Sequence, residues 1–599
     1  MQAAGRKRHD PASPLSVNGC PVRPDIMNRA YLLGPLLCAL TLPSMVCIAG
    51  AQILSVTQVT HAPARFERLE FVVVLKAAWD DPYRSDDIRL DLELSGPSGR
   101  PLMVPAYYED GESGKQSVWH ARCAPSETGL YRGRFVLASR AGREATETAP
   151  FTVAPSSSRG FLRPAGPWIF RFDTGEPFRG LGENLCWEAR YRDDSRFFRA
   201  LHENPRFNYD YMLGSLSAHG GNFTRVWMCP WNLPLEWKRV SPDTMRYTDS
   251  PAHFNPSAIR RMDRFVETAE AAGVYVMLTL DPHGALLGEN WARSSYNARN
   301  GGPAATPEEF FTNPRARAQY RDRLRYLVAR WGYSPRLAVW ELFNEVDNAM
   351  YGQTPVRIPD DVVTAWHAEM SAYLKGIDPS GRPVTTSISH RDVAGLNRIA
   401  SIDFNQRHIY RRTDTIPETI AHYVQAEGKP YVIGEFGYEW DWNRNFNEFA
   451  GQMDRDFKRG LWLGLFSPTP ILPMSWWWEY FDDRGLTAYL ARVRAVLDRM
   501  LADGAGDFQP IGADEPGILA LAVRCGGTTF VYEENDGAAA VSGAPRIVGA
   551  PLNAVRETSI FDPETGKSSP GPAVSLHDGW WTTDPLVIQA GQSLVLSVR

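Results

Sequence analysis

The sequence has little that would support metal-dependent, serine-nucleophile or phosphate chemistry. Its 599 residues contain no H-E-x-x-H, no G-x-S-x-G and no phosphate-binding loop. The seven cysteines include no C-x-x-C pair, which argues against a structural zinc site. No internal repeat is evident. We therefore expect neither a metal nor an organic cofactor.

The sequence also lacks an excess of positive charge. The net charge is -5, and no basic stripe stands out, so the sequence does not indicate a nucleic-acid partner. Hydrophobic residues make up 43% and charged residues 22%, as in soluble globular proteins. The length predicts about two to four domains. The composition alone gives no expectation for the oligomeric state.

Long apolar runs occur only near the N-terminus. Arg29 precedes an interrupted apolar stretch, which ends in the small residues Ala49-Gly50-Ala51. This pattern predicts an export signal over residues 1–51, with Met27 a candidate for the true start. A membrane anchor is the alternative. We expect a periplasmic or extracellular protein with no membrane span in the mature chain.

Four cysteines follow the predicted signal, and they lie far apart in the sequence. Cys186 and Cys229 would be able to pair in an oxidising compartment, but the sequence cannot show such a bond. Buried free thiols are the simpler interpretation.

The pattern of the chain changes twice after the signal. Residues 52–155 contain short alternating runs separated by Gly, Pro and Asp, which predict an Ig-like β-sandwich. Residues 160–503 alternate apolar runs with amphipathic stretches such as PSAIRRMDRFVETAEAAG. Residues 504–599 return to short strand-like runs and predict a small C-terminal β-sandwich.

Eight apolar runs in the central region predict an α/β fold, a (β/α)8 TIM barrel. A doubly wound sheet shows the same alternation, but polar and aromatic residues gather at the carboxyl ends of these runs, where barrels keep their sites. The runs are Gly180 to Trp187, Asn222 to Cys229, Val274 to Asp281, Leu337 to Asn344, Pro383 to Ser389, Asp403 to Tyr410, Tyr431 to Glu435 and Ile471 to Trp478.

Two glutamates end apolar runs in this region. Glu345 follows the fourth run in WELFNEVDN, and Glu435 ends the seventh in YVIGEFGYEW. A carboxylate at such a position loses hydration unless it is paired or used. In a closed barrel both would face across one rim, as glycoside cleavage requires. We expect one of the two carboxyls to have a raised pKa, so that it stays protonated near neutral pH.

These motifs resemble the clan A glycoside hydrolases, and in particular the cellulase-like glycoside hydrolase family 5. LFNE and IGEFG resemble the fourth- and seventh-strand signatures, while TRVWMCPW, RHIY and SWWWEY resemble the second, sixth and eighth strands. The flanking regions resemble an Ig-like domain of unknown function and a C-terminal β-sandwich labelled collagen-binding. The resemblance covers nearly all of the mature chain.

The resemblance implies specific roles for several residues. Glu345 would be the acid/base and Glu435 the nucleophile of a retaining mechanism. The residues implied as substrate-binding or supporting are Asn344 at the substrate 2-hydroxyl, Arg225 as the partner that keeps the nucleophile ionised, His408 and Tyr410 beside Glu435, and Trp476 as the sugar platform.

Other residues are candidates from their position alone. His283, Asn184, Trp187 and Trp231 lie at or just beyond the ends of the first three runs and are candidates for the cleft lining. Glu341 lies about 13 Å before Glu345 along the strand and is expected to be a buried structural partner. Glu439 follows Glu435 by four residues and is a weaker catalytic candidate.

The sequence therefore predicts an exported retaining β-glycosidase with a carbohydrate substrate. The first alternative is a non-catalytic carbohydrate-binding or adhesion protein on a barrel scaffold. A peptidase is the second, although no motif supports it. Mannan, glucan, galactan and side-chain glycosides are all admissible substrates, and endo versus exo action stays open because loops decide it.

Overall fold

The computed structural model describes residues 50–353, 356–548 and 557–599. The predicted export signal falls almost entirely on residues 1–49, which lie outside this part of the chain. Among the described residues, no helix combines the length and hydropathy needed to cross a membrane.

The N-terminal region is an eight-stranded antiparallel sheet in the order β1-β2-β5-β4-β3-β6-β7, with β8 paired to β6. Residues 101–105 of β4 pair with β3 and residues 106–111 pair with β5, so β4 joins two halves around one hydrophobic cluster. The Ig-like assignment stays a prediction. The strands are Gln52–Gln58, Leu69–Lys76, Ile88–Ser95, Pro101–Gly111, Gln116–Cys123, Gly129–Ser139, Gly142–Glu147 and Phe151–Val153 for β1 to β8.

A small antiparallel sheet precedes the barrel. It consists of β9 (Leu162–Pro164), β10 (Phe170–Phe172) and β11 (Pro177–Phe178). Its phenylalanines share a buried cluster with residues that lie near the amino ends of barrel strands, including Phe223 and Tyr275. This sheet therefore fills the amino end of the barrel, away from the predicted site.

The central region is a parallel barrel, so the prediction of a TIM-barrel-type fold is confirmed and the doubly wound alternative is wrong. Adjacent strands pair in parallel from β12 to β16 and from β17 to β19. The strands are Gly182–Asn184, Phe223–Trp227, Tyr275–Pro282, Leu337–Asn344, Val384–Thr385, Ser387–Ile388, Asn405–Tyr410 and Tyr431–Gly437 for β12 to β19.

The barrel is closed by a segment that is not a regular strand. Ile471 bridges Gly180, and Ser475 bridges both Glu183 and Phe436. The expected eighth strand, Ile471 to Trp478, is therefore wrong in its extent. Pro473 lies within it and lacks an N–H donor, so continuous ladder pairing is interrupted.

Twelve α-helices are present in the described residues. The amphipathic stretch quoted above forms α3, which Asn255 caps by accepting from the Ser257 N–H and which Gly273 ends at a left-handed φ of 72°. The helices are Arg199–His202, Tyr209–Ala218, Pro256–Ala272, Gly288–Arg293, Pro307–Thr312, Pro314–Trp331, Val346–Tyr351, Asp360–Ile377, Ile416–Glu427, Ala450–Leu465, Trp478–Asp483 and Leu490–Gly504 for α1 to α12.

The C-terminal region is also sheet-rich. Nine strands form one sheet in the order β26-β25-β30-β22-β21-β20-β24-β28-β27, and β23 pairs with β29. The sandwich assignment stays a prediction. The strands are Phe508–Asp514, Leu519–Cys525, Thr528–Glu534, Val541–Gly543, Arg546–Val548, Thr558–Asp562, Lys567–Pro570, Val574–His577, Trp580–Thr583, Leu586–Ile588 and Ser593–Val598 for β20 to β30.

Candidate active site

Glu345 and Glu435 lie together at the carboxyl end of the barrel. Glu345 directly follows β15, and Glu435 lies in β19. One oxygen of each carboxyl lies within 4.8 Å of the other. Both line a cavity of about 790 Å³, which is large enough for several sugar rings.

Glu435 is surrounded by hydrogen-bond donors. Nη1 of Arg225 donates to Oε1 at 2.7 Å, and the Tyr410 hydroxyl donates to Oε2 at 2.7 Å. Burial, followed by the negative charges of Glu435 and Glu345, raises the pKa of Tyr410 well above its usual value. Tyr410 therefore remains a phenol and acts as a donor. These contacts hold the Glu435 carboxylate in one orientation.

Arg225 is fully buried, and its guanidinium donates hydrogen bonds to four side chains. Nε and Nη2 donate to Glu341 at 2.6 and 2.8 Å, and Nη2 also donates to Asn344 at 2.5 Å. Nη1 reaches Glu435 and, at 3.4 Å, Asn184. A buried ion pair is tolerated only when its polar atoms are satisfied in this way.

Glu341 is the buried partner that the strand spacing predicts. Besides Arg225, it accepts from the hydroxyls of Thr279 at 2.7 Å and Ser387 at 2.8 Å. Burial raises its pKa, but the charge and hydrogen bonds of Arg225 outweigh this effect and leave the pKa lowered. Glu341 is therefore a structural carboxylate beneath the cavity.

Glu345 occupies a strained turn between β15 and α7. Its φ of 48° and ψ of 52° are left-handed, a conformation that costs free energy for a residue with a Cβ. The Ser387 hydroxyl accepts from its backbone N–H at 3.0 Å. This turn directs the carboxyl towards His408, whose Nδ1 lies 2.8 Å from Oε1, while Asn348 donates to Oε2 at 2.9 Å.

The pKa of Glu345 differs from the expectation for a general acid. Burial raises the pKa, but the hydrogen bond and charge of His408, the charge of His283 and the Asn348 contact together lower it to about 2. The prediction that one carboxyl has a raised pKa is therefore wrong for Glu345. The sequence showed a neighbouring acid but not the imidazole that contacts it.

His408 lies between the two carboxyls rather than beside Glu435 alone. Its Nδ1 is 2.8 Å from Glu345 and 3.4 Å from Glu435. The ligand atoms of these three side chains lie close enough to hold a metal ion. However, the Arg225 guanidinium already balances negative charge on the Glu435 side, which disfavours a further cation there.

Tryptophans form one wall of the cavity. Trp187, Trp227, Trp231 and Trp476 all line it, and the Trp187 ring lies 5.3 to 5.6 Å from the other three. His283 and Tyr410 also line the cavity. Flat apolar rings with polar groups nearby suit the faces of sugars.

Three predicted residues do not line the cavity: Arg225, described above, and the two asparagines Asn184 and Asn344. The fully buried Asn184 donates its amide to the backbone carbonyls of Gly434, Met474 and Ser475, so it ties the first run to the seventh and eighth. Asn344 is also fully buried, and its amide lies 3.2 Å from Nδ1 of His283. Both support the charged residues rather than face the open space.

The four cysteines after the predicted signal are free and buried, so Cys186 and Cys229 do not pair. This agrees with the simpler of the two interpretations.

Sequence reasoning missed part of the cavity lining. A loop after β19 contributes Trp440, Asp441, Trp442 and Asn443, and Arg190, Asn348 and His390 add polar groups elsewhere. The clustering of aromatics directly after Glu435 was the available signal. The geometry of Glu439 does not suit a catalytic role, because its carboxylate is buried and pairs with Arg411 and Arg444.

The comparisons with known proteins give matches to glycoside hydrolases. Residues 193–388 match the family model of cellulase, glycosyl hydrolase family 5. A mannan endo-1,4-β-mannosidase A from Podospora anserina is 24% identical over 42% of this chain and 71% of its own length. Mannan endo-1,4-β-mannosidase 1 from Oryza sativa is 24% identical over 47% of this chain and 69% of its own length.

A solved structure has a similar fold over most of the chain. A protein from Bacteroides vulgatus, provisionally described as a glycoside hydrolase, superposes with a TM-score of 0.60 over 90% of this chain and 99% of that chain, at 14% identity. This likeness concerns the fold alone. The sequence matches make the present chain a glycoside hydrolase, an enzyme that acts on O-glycosyl bonds, and residues 193–388 are similar to glycosyl hydrolase family 5.

Proposed function

We propose that this chain is an exported retaining β-glycoside hydrolase of polysaccharides or oligosaccharides, with Glu435 as nucleophile and Glu345 as acid/base. The carboxyl separation is the observation that carries the proposal. Oxygens of the two groups lie within 4.8 Å, near the roughly 5–5.5 Å of retaining enzymes and below the roughly 6.5–9.5 Å that inversion requires.

In the first step Glu435 attacks the anomeric carbon, and the bond from that carbon to the glycosidic oxygen breaks. Glu345 gives its proton to the departing oxygen. In the second step Glu345 takes a proton from water, whose oxygen attacks the anomeric carbon and releases Glu435. Arg225 and Tyr410 keep the attacking oxygens in position through their hydrogen bonds.

Glu345 must be protonated before it can act as the acid. Burial raises the pKa of its carboxyl, but the hydrogen bond and charge of His408 outweigh burial and lower it. We propose that the bound sugar raises this pKa again, because it displaces water from the cavity and penalises charge there.

β-1,4-Mannan is the substrate that the relatives favour, because both matched sequences are named mannan endo-1,4-β-mannosidases. We also propose that residues 52–155 and 504–599 are separate β-sandwich domains around a barrel of residues 160–503, and that residues 1–51 direct export.

The test is a panel of β-mannan, β-glucan and β-galactan, assayed for new reducing ends. Proton NMR of the first product then shows whether the β-anomer is retained. We expect Glu435→Gln to lower turnover by roughly 10⁴-fold or more while the protein stays folded. Undiminished hydrolysis by this variant, or an α-anomeric first product, contradicts the mechanism. No cleavage of any glycan by the wild type would favour the carbohydrate-binding alternative.

A further inference from the structure

The loop after β19 carries a feature that the two-carboxyl mechanism does not use. Of the chain's 19 tryptophans, all of which lie in described residues, only Trp440 and Trp442 are exposed, at 56% and 39%. Both line the cavity that contains Glu345 and Glu435. Large exposed rings beside a site with polar groups mark a binding surface rather than a core.

A buried carboxylate holds this loop in place. Glu439 is only 2% exposed, and its Oε1 accepts from the backbone N–H groups of Trp440 at 2.9 Å and Asp441 at 3.1 Å. The guanidinium groups of Arg411 and Arg444 pair with its two oxygens. The indole N–H of Trp477 donates to its backbone carbonyl at 2.6 Å.

These contacts tie the loop to β18 and to the segment that closes the barrel, which lie on either side of β19. Arg411 follows β18, and its guanidinium also lies 5.4 Å from the Trp440 ring centroid. Trp477 follows the closing segment, directly after the predicted sugar platform Trp476. Trp442 shares a small recess with Trp476 and Trp187. The exposed rings are therefore preorganised, and they continue the aromatic wall of the reaction centre.

We propose that Trp440 and Trp442 form a second stacking face for pyranose rings and that Glu439 is the residue that positions it. The face selects β-linked saccharides that extend beyond the two sugars at the cleaved bond. The inference rests on the proposed function, which it deepens by naming extended chains as the preferred substrates.

The test compares a long with a short substrate. The probes are β-1,4-mannohexaose and 4-nitrophenyl β-mannoside, or the corresponding pair for whichever glycan the panel shows to be cleaved. For Trp440→Ala and Trp442→Ala we expect the ratio of kcat/KM, long over short, to fall about 3- to 10-fold each, mainly through KM of the hexasaccharide. The double variant should lose more than either single one.

Tyr438→Ala is the matched control. Tyr438 is 39% exposed in the same loop, but it packs on Phe449 and does not line the cavity. Its replacement should leave the ratio as in the wild type. Glu439→Gln should lower the ratio as the tryptophan variants do, with a melting temperature that shows a folded protein.

The outcomes separate the two levels of the proposal. An active wild-type enzyme whose ratio is unchanged in both tryptophan variants overturns the stacking face alone. An unchanged ratio in Glu439→Gln, with a lowered ratio in the tryptophan variants, overturns the positioning role. A wild-type protein that cleaves no glycan overturns the proposed function and this inference with it.

Discussion

Two clusters of buried glutamates in this chain have opposite electrostatic environments. At the barrel rim and directly beneath it, Glu341, Glu345 and Glu435 surround Arg225 and His408. In the C-terminal region, the carboxyl oxygens of Glu515 and Glu533 have no hydrogen-bond partner within the described part of the chain. The two clusters are similarly buried. The carboxylates of the first have positively charged partners, whereas Glu515 and Glu533 have no hydrogen-bond partner among the described residues.

The difference shows in the pKa values. At the rim, burial raises the pKa of Glu341 and Glu345, but their positive partners outweigh burial and lower both. In the C-terminal sheet, burial and then the charge of Glu515 raise the pKa of Glu533 to about 8. Burial alone therefore favours a neutral acid, and only placed cations keep carboxylates ready for chemistry.

After removal of the nucleophile, the largest effect is expected from removing the proton donor. Glu345→Gln should lower hydrolysis of a polysaccharide roughly 10²- to 10⁴-fold, because no group then protonates the leaving oxygen. A 2,4-dinitrophenyl glycoside should lose much less in its first step, since that leaving group needs no proton. Added azide should restore turnover of the dinitrophenyl substrate. Equal losses on both substrates would contradict the acid/base role.

Removing the shared cation should affect both activity and stability. Arg225→Met leaves Glu341 buried without its counter-charge, so we expect a loss of about 3–5 kcal/mol in the free energy of unfolding. Activity should fall by roughly 10²-fold or more, because Glu435 loses its Nη1 contact. Denaturant unfolding and kcat/KM measure the two effects.

The double variant Arg225→Met/Glu341→Met separates these two roles. It replaces the buried pair by apolar side chains, so stability should recover in part while activity does not. Recovery of both would show that Arg225 acts through the fold alone.

His408 offers a smaller effect that appears in the pH profile. The imidazole lowers the pKa of Glu345, so His408→Gln should raise that pKa. A general acid must be protonated, and activity is lost above its pKa, so the alkaline limb of kcat/KM should move to higher pH by about one unit. His283→Gln, whose ring lies 3.4 Å from Glu345, should shift it less. A shift to lower pH would contradict the coupling.

The same contrast explains what the sequence was able to predict. Strand ends are local signals, so Glu345, Glu435 and the deeper Glu341 were placed from run length and period. The barrel followed from eight alternating runs. The lowered pKa of Glu345 depends on His408, which lies 63 residues away along the chain, and no local pattern gives that distance. The extent of the eighth strand was wrong because Pro473 lacks an N–H donor and interrupts the pairing of the closing segment with the strands on either side.

The conformation of the loops was the other feature that the sequence did not predict. Trp440 and Trp442 were visible in the sequence, but their exposure is set by the pairing of Glu439 with Arg411 and Arg444. Such contacts between loops have no periodic signature. Asn184 is the opposite case. Its position at a strand end predicted a residue of the cleft lining, but its amide donates to backbone carbonyls inside the barrel.

The smallest effect concerns the uncompensated cluster, where only stability should change. The folded pKa of Glu533 is about 8, against an ordinary value of 4.5. Below pH 4.5 the carboxyl is protonated in both states. Between pH 4.5 and 8 the unfolded chain ionises while the folded one stays neutral, so stability falls as the pH rises. Glu533→Gln removes this loss and should stabilise the protein by roughly 2–4 kcal/mol at pH 8, with little difference at pH 4.5.

Denaturant unfolding at pH 4.5, 6.5 and 8 measures this trend, and the exposed Glu557→Gln provides the control. Glycan hydrolysis should be unaffected by either substitution, because neither residue lines the cavity that contains Glu345 and Glu435. A stabilisation of Glu533→Gln that does not grow with pH would mean that the folded protein holds this carboxyl as an anion. The C-terminal cluster would then contain a compensating partner, as the barrel rim does, and the contrast between the two regions would disappear.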